Sequence, residues 1–390
     1  MLSARVERIK PSPTLAVSAK ADELAAKGQD IVNLGVGEPD FDTPDHIKEA
    51  AIQAIQSGFT KYTAVGGTAS LKKAVIDKFE RENKLHYQAN QVLVSVGGKQ
   101  SFFNLTQSLI NDGDEVIIPA PYWVSYPDIV LIAGGKPVII ETNIENRFKI
   151  TAAQLEAAIT PRTKLFVINS PSNPSGMAYT HAELAALADV LLKHPQVYVA
   201  TDDMYEHILW ASEPFCNILN VCPALYSRTF VLNGVSKAYS MTGWRIGYAA
   251  GPKDIIAAMT KVQSQSTSNP CSISQKAAEA ALNGPQGCIK TTCTAFKQRH
   301  DYFVKALNQL PGVQCAEGDG TFYAFASVKA AMAKLNLPTD IAFAEKLLTE
   351  AGVAVVPGSA FGSEAYIRMS FATSMQNLEK AILKMSKVLA

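Results

Sequence analysis

The chain has 390 residues, 47% hydrophobic and 18% charged, with 36 Lys and Arg against 35 Asp and Glu for a formal net charge of +1. That balance, with no basic stripe or arginine-rich tail, excludes an electrostatic footprint for nucleic acid or a membrane surface and leaves small molecules as the expected partners. The length suits two domains better than one.

Six cysteines (Cys216, Cys222, Cys271, Cys288, Cys293, Cys315) show no CxxC spacing and are too sparse for a disulfide scaffold, so reduced thiols are expected. The six histidines show no paired ligand spacing, so no metal is expected. The opening "MLSARVERIKPSPTLAV" interrupts its apolar residues with charges and prolines, unlike a secretory signal, and no stretch reaches membrane-spanning length. The expected location is the cytoplasm.

In chain order, residues 1–45 carry no strand-helix unit of their own. Within them, Gly35-Val36-Gly37 fails as a dinucleotide fingerprint because Asp40 stands at the third glycine position. The apolar run "QVLVSV" (91–96) then meets Gly97-Gly98-Lys99-Gln100 and a helical pattern over 100–110. Such a turn offers free N–H groups and a helix dipole to an anion, although an ordinary strand-to-helix turn also uses glycine. It is no Walker A loop, since Gln100 replaces the magnesium-holding hydroxyl.

Further strand-like runs follow at 114–120, 136–140, 164–169, 197–202 and 229–233, with a helical pattern at 180–193. This alternation predicts a parallel sheet covered on both faces, with ligands gathered outside the carboxyl ends of its strands. Asn173 lies at one such end, in "NSPSNPSG", where turn geometry alone would also favour it. Asp202 and Tyr205 lie at another, in "TDDMYEH"; a carboxylate ending a buried run needs a cation or strong donor, or serves as a helix cap. Ser236 and Lys237 lie at a third, where a lysine is either solvated or recessed and made nucleophilic by desolvation.

After about residue 285 a charged helical stretch (286–310) leads to "GTFYAFASV", a helix near 339–351, "VAVVPG", "AYIRMSFA" and a final helix. Arg368, amid apolar neighbours in an alternating strand, calls for a buried carboxylate partner. The expected division is a large domain over 46–285 and a smaller α/β domain from 1–45 and 286–390.

Taken together, "NLGVGEPDFDTP" (33–44), "KYTAVGGTASLK" (61–72), "GGKQ", "APYWVSY" (120–126), "NSPSNPSG", "TDDMYEH", "SKAYSMTGWRIGY" and "YIRMSFA", in this order, resemble the class I aminotransferases of the aspartate aminotransferase family. The resemblance covers essentially the whole chain. It implies an α/β fold, the fold type I pyridoxal-phosphate-dependent transferase fold, with a mostly parallel central sheet. It also implies the cofactor pyridoxal 5'-phosphate and a homodimer with shared active sites.

Residue by residue, the resemblance implies that Lys237 forms a Schiff base with the cofactor aldehyde and then moves the proton between substrate Cα and cofactor. Asp202 matches the partner of the pyridine nitrogen, Asn173 and Tyr205 the groups on the ring oxygen, and Trp123 the stacking aromatic. Ser236, Arg245 and the backbone at Gly98, Lys99 and Gln100 match the phosphate cradle, which Tyr62 reaches from the other subunit. Arg368, with the backbone near Gly35, matches the α-carboxylate site, which Trp123 and Asn173 also border.

Lys99 resembles the lysine that, in one bacterial branch, reaches the side-chain carboxylate of aspartate or glutamate; Lys10 is a second mobile cation or simply solvated. The expected activity is amino transfer from L-aspartate to 2-oxoglutarate by ping-pong chemistry. Aromatic, alanine-type or prephenate-type substrates, or a pyridoxal-phosphate lyase, remain alternatives. A regulator's ligand-binding domain is a further one, against which stand the retained lysine and the lack of a DNA-binding segment.

Overall fold

The strands are β1 (Val32–Asn33), β2 (Val92–Ser95), β3 (Glu115–Pro119), β4 (Lys136–Ile140), β5 (Thr163–Asn169), β6 (Tyr198–Asp202), β7 (Thr229–Gly234), β8 (Gly247–Ala250), β9 (Gln314–Cys315), β10 (Tyr323–Ser327), β11 (Val353–Ala354), β12 (Val356–Pro357) and β13 (Tyr366–Ser370). The computed structural model describes residues 2–390; Met1, first residue of the expected smaller domain, lies outside them.

Seven strands form one sheet in the order β2-β8-β7-β6-β5-β3-β4. The interiors of β2, β3, β5, β6 and β7 are buried on both faces, which is why they read as unbroken apolar runs. Edge strand β4 is half-exposed. The sheet departs from all-parallel at β8, which is antiparallel to both β2 and β7. Its four residues, "GYAA", carry no signal of direction. The reversal has a consequence for function: Arg245, which precedes β8, comes to the edge where the other strands end. In register, Gly247 pairs with both Ser95 and Gly234, and Asp202 pairs with Asn169.

The helix Gly98–Leu109 follows β2, and the helix His181–Lys193 begins at a reciprocal Thr180–Glu183 capping box. A second sheet, β12-β13-β10-β9, is antiparallel and packs on the helix Gly287–Leu307. Phe296, Phe303 and Phe322 are fully buried between them, each contributing about 1.5–3 kcal/mol of apolar burial.

The expectation for residues 1–45 needs correction. They contain a helix, Pro13–Ala26, and β1 pairs in parallel with β11, Val32 against Val353. A two-residue strand is too short to show periodicity in the sequence. The helix expected near 339–351 runs over Asp340–Lys346 and widens at Leu347–Ala351 before Gly352 ends it in the left-handed region at φ 65°. Among the described residues, no helix is long and apolar enough to cross a membrane.

Candidate active site

At the carboxyl edge of the large sheet lies a cavity of about 440 Å³. Gly98, Lys99, Trp123, Asn173, Asp202, Tyr205, Ser236, Lys237, Arg245 and Arg368 all line it. Ten residues separated by up to 270 positions are thus brought together by strand order.

Asp202, the last residue of β6, forms the floor. Its carboxylate accepts from Tyr126 Oη at 2.5 Å and from the Met204 N–H at 3.3 Å. Burial raises its pKa above the usual carboxylate value, while Tyr126, the Met204 N–H and the Lys237 charge act the other way. Among the described residues it has neither an ion pair nor a helix to cap.

The Lys237 ammonium donates to the Gly37 carbonyl at 2.5 Å and lies 6.0 and 5.8 Å from the rings of Tyr205 and Phe322. Burial, then the Arg368 charge, pushes its pKa down to about 8. Tyr205 Oη is hydrogen-bonded to Tyr323 Oη at 3.0 Å. Asn169 joins two strand ends, donating to the Asp202 carbonyl at 2.9 Å and accepting from the Asn173 N–H at 2.8 Å.

Arg245 has φ 56° and donates to the Thr242 carbonyl at 2.8 Å. Its guanidinium fills the space beside Gly97, whose φ of 81° suits glycine and where any Cβ would overlap it. Lys99 Nζ lies 5.3 Å over the Trp123 ring. Burial, then Arg245, lowers its pKa. Gln100 departs from the expected cradle. Its N–H donates to the Gly97 carbonyl at 3.1 Å. Its side chain is held by the Val96 N–H and Thr267, both at 2.6 Å.

Arg368, 3% exposed, donates to Asn173 Oδ1 at 3.1 Å and to the Gly35 carbonyl at 2.7 Å. Tyr323 and Phe361 flank it with ring centroids at 4.5 and 5.0 Å. The buried carboxylate that the sequence calls for is absent among the described residues, and Nε has no partner. A substrate carboxylate would supply what is missing.

Tyr62 is 92% exposed and stands off this cavity, as does Lys10, whose N–H donates to Asp128 at 3.4 Å. The sequence did not single out Tyr126, Tyr323 or Glu38, nor Thr14, Leu15 and Ser18 of the helix Pro13–Ala26, all at or lining the site. Tyr126, Glu38 and Tyr323 lie inside stretches quoted above; the helix Pro13–Ala26 gave no such signal.

Asp203 and Glu206 of the same segment turn away from the cavity into a buried network. Asp203 accepts from Thr201 at 2.6 Å and from Asn217. Burial, then the Glu206 charge, raises it to about 8. Glu206 accepts from Lys78, from Asn83 at 2.6 Å and from Asn233 at 2.7 Å. Burial alone would raise Glu206, but Lys78 and His207 hold it below its usual value. Glu82, Glu206 and His207 bring ligand-type atoms within 4.8 Å of one another, and the Lys78 ammonium already sits among them as the cation.

Pyridoxal phosphate fits the donor set of the cavity. The floor acid lacks a cationic partner. The amine of Lys237 is depressed toward neutrality. Arg245, Ser236 and the N-terminus of the helix Gly98–Leu109 offer charge and donors to a phosphate.

A doubly wound sheet with one reversed strand, a lysine just beyond β7 and an acid closing β6 define a fold type I pyridoxal-phosphate-dependent enzyme. The chain belongs to the family Aminotransferase class I and II, which it matches over residues 29–384. It is 62% identical to the aspartate/prephenate aminotransferase of Nitrosomonas europaea over 395 aligned positions, covering 100% of both chains. It is 55% identical to that of Cereibacter sphaeroides, covering 97% of this chain and 96% of the relative. Among solved structures, it resembles the aspartate aminotransferase of Rhizobium meliloti with TM-score 0.95 and 47% identity, over 100% of this chain and 98% of that one. It also resembles that of Thermus thermophilus with maleate, at TM-score 0.93 and 43% identity, over 100% and 99%.

Proposed function

We propose that this aminotransferase moves the amino group of L-aspartate to 2-oxoglutarate in two half-reactions. One observation carries the reading. Arg368, Lys99 and Arg245 converge on one cavity, and none has a carboxylate partner among the described residues. Arg368 is buried, and a buried cation left unpaired by the protein is costly unless an anionic ligand pairs it, while Lys99 and Arg245 stand at the open rim of the same cavity. Three cations converging in this way suit a phosphate and a dicarboxylic substrate.

In this reading Arg368 pairs with the α-carboxylate through its planar fork, the Gly35 carbonyl yielding its hydrogen bond, while Trp123 and Asn173 border the same pocket. Lys99, at the other end, takes the second carboxylate. That binding orients the Cα–H bond for removal by the Lys237 amine, whose depressed pKa leaves a usable fraction unprotonated near neutrality. When bound, the coenzyme supplies an electron-accepting ring and the aldehyde carbon that carries the amino group between donor and acceptor. Asp202 holds the proton on the pyridine nitrogen, with Tyr126 keeping the carboxylate aimed. Asn173 and Tyr205 serve the ring oxygen and Trp123 the ring face. Ser236, Arg245 and the N–H groups of Gly98 and Lys99 hold the phosphate, and Gln100 contributes by closing the turn.

The solvent-facing Tyr62 suits a residue that completes the site of a second subunit, so an isologous homodimer belongs to the proposal. So do the division at 45/46 and 285/286 and a cytoplasmic location with small amino and keto acids as partners. A second reading adds a prephenate-type acceptor, supported by the names of the relatives and by its chemistry, since it too presents a 2-oxo acid and a distant carboxylate. The Thermus thermophilus structure with maleate, also a dicarboxylate, supports the same pocket logic.

The test is a panel of amino donors and acceptors compared by kcat/KM. Aspartate with 2-oxoglutarate is expected to lead, with prephenate as the second acceptor. A preference for uncharged amino acids would overturn the reading. Borohydride treatment of the holoenzyme is expected to fix the coenzyme on Lys237.

A further inference from the structure

The segment Gly35–Thr43 touches both halves of the site. Its Gly35 and Gly37 carbonyls accept from Arg368 and Lys237 at 2.7 and 2.5 Å. Farther along, Glu38 Oε2 accepts from Thr242 Oγ1 at 2.8 Å, and the Thr242 carbonyl in turn accepts from Arg245 at 2.8 Å. Thr43 Oγ1 donates to the Ser240 carbonyl at 2.6 Å. Gly37 leaves no slack, since a Cβ there would come within 2.9 Å of the Tyr323 hydroxyl.

Glu38 and Asp202 are the two carboxylates lining the cavity, against Lys99, Lys237, Arg245 and Arg368. Asp202 at the floor is held by Tyr126 and a backbone N–H. Glu38 is held by a single hydroxyl among the described residues. Arg245 sits at φ 56°, a conformation that persists only where its surroundings impose it. The chain Glu38 to Thr242 to Arg245 is such a restraint.

We propose that Glu38 is a positioning residue for the transamination: its carboxylate ties the Thr242–Arg245 turn to the substrate-side segment and supplies the mouth-side negative charge facing Lys237. The inference rests on the reading under Proposed function. Arg368 and Arg245 face Lys237 as cations, Asp202 and Glu38 as anions, and burial keeps the Tyr205 and Tyr323 phenols neutral. Removing Glu38 therefore favours loss of the proton from the lysine nitrogen.

The test uses holoenzyme carrying Glu38→Gln or Thr242→Val. Glu38→Gln is expected to lower the pH midpoint of the bound coenzyme's visible absorption change by about half to one unit, a partly solvated charge acting at reduced strength. It is also expected to speed loss of coenzyme on dilution about three- to tenfold. Thr242→Val, which cuts the tether and keeps the charge, is expected to reproduce the faster loss with the midpoint unmoved. Either readout unchanged in Glu38→Gln overturns the proposal. Wild-type protein with no coenzyme band would instead overturn the proposed function, and this inference with it.

Discussion

The segment Thr201–His207 divides its polar side chains between two surroundings. Asp203 and Glu206 face a network in which Lys78, Asn83, Asn217 and Asn233 satisfy their carboxylates. Asp202 and Tyr205 face a cavity in which four cations, Lys99, Lys237, Arg245 and Arg368, lack a carboxylate among the described residues and Arg368 Nε lacks any partner. Both surroundings are rich in charge, the network being buried and the cavity open to solvent at Lys99 and Arg245. What differs is completion: the network is closed by the protein, and the cavity is left for ligands to close. Substitutions on the two sides should therefore separate stability from function.

The largest separation is expected at Lys237. Lys237→Met should cost at least about a thousandfold in turnover, the scale of losing a general acid/base. The same change should stabilise coenzyme-free protein by roughly 2–3 kcal/mol at neutral pH, because the folded state holds this ammonium at about 8 against the usual lysine value of 10.5. A folded pKa below the unfolded one is a cost that is complete below pH 8 and vanishes as pH rises to 10.5, so the gain should fade over that window. Urea unfolding at several pH values measures it, and a destabilised variant would break the comparison.

On the network side, Lys78→Met should leave Glu206 as an unpaired buried charge and cost about 3–5 kcal/mol. Adding Glu206→Leu should restore much of that loss. A single variant as stable as wild type would mean that the network is no more closed than the cavity.

Lys99→Ala sharpens the cavity side. Loss of a hydrogen bond to a charged group predicts a fall of about ten- to a hundredfold in kcat/KM for aspartate, with little change for an uncharged donor and no loss of stability. Equal losses for both donors would assign Lys99 to the phosphate alone. The smallest effect concerns pH. Capture of added pyridoxal phosphate by coenzyme-free protein should quicken about tenfold per unit below pH 8 and level off above it, as the amine loses its proton.

Much of the site was legible because its residues follow buried strands. Asp202, Asn173, Lys99 and Lys237 all stand just past apolar runs, where a parallel sheet places its ligands. Arg245 was legible only through the family motif, since it precedes its strand and reaches the edge by the reversal of β8. Glu38, Tyr126 and Tyr323 escaped notice as individuals. Each acts through a partner more than 75 positions away, and no local pattern marks such a pairing. Gln100 shows what a motif leaves open, since its N–H donates to the Gly97 carbonyl and nothing in the sequence marks that bond.

Hydrophobic patterning along the chain determined the alternation of strands and helices, the sheet with both faces covered, and the chemistry-bearing residues at strand ends, because burial periodicity is a local property. Strand order, the direction of β8, the pairing of β1 with β11 and the division of one loop between a closed network and an open cavity were decided only in three dimensions. They depend on which distant groups meet, and whether a buried charge finds a partner is a property of the assembled fold rather than of its neighbours in sequence.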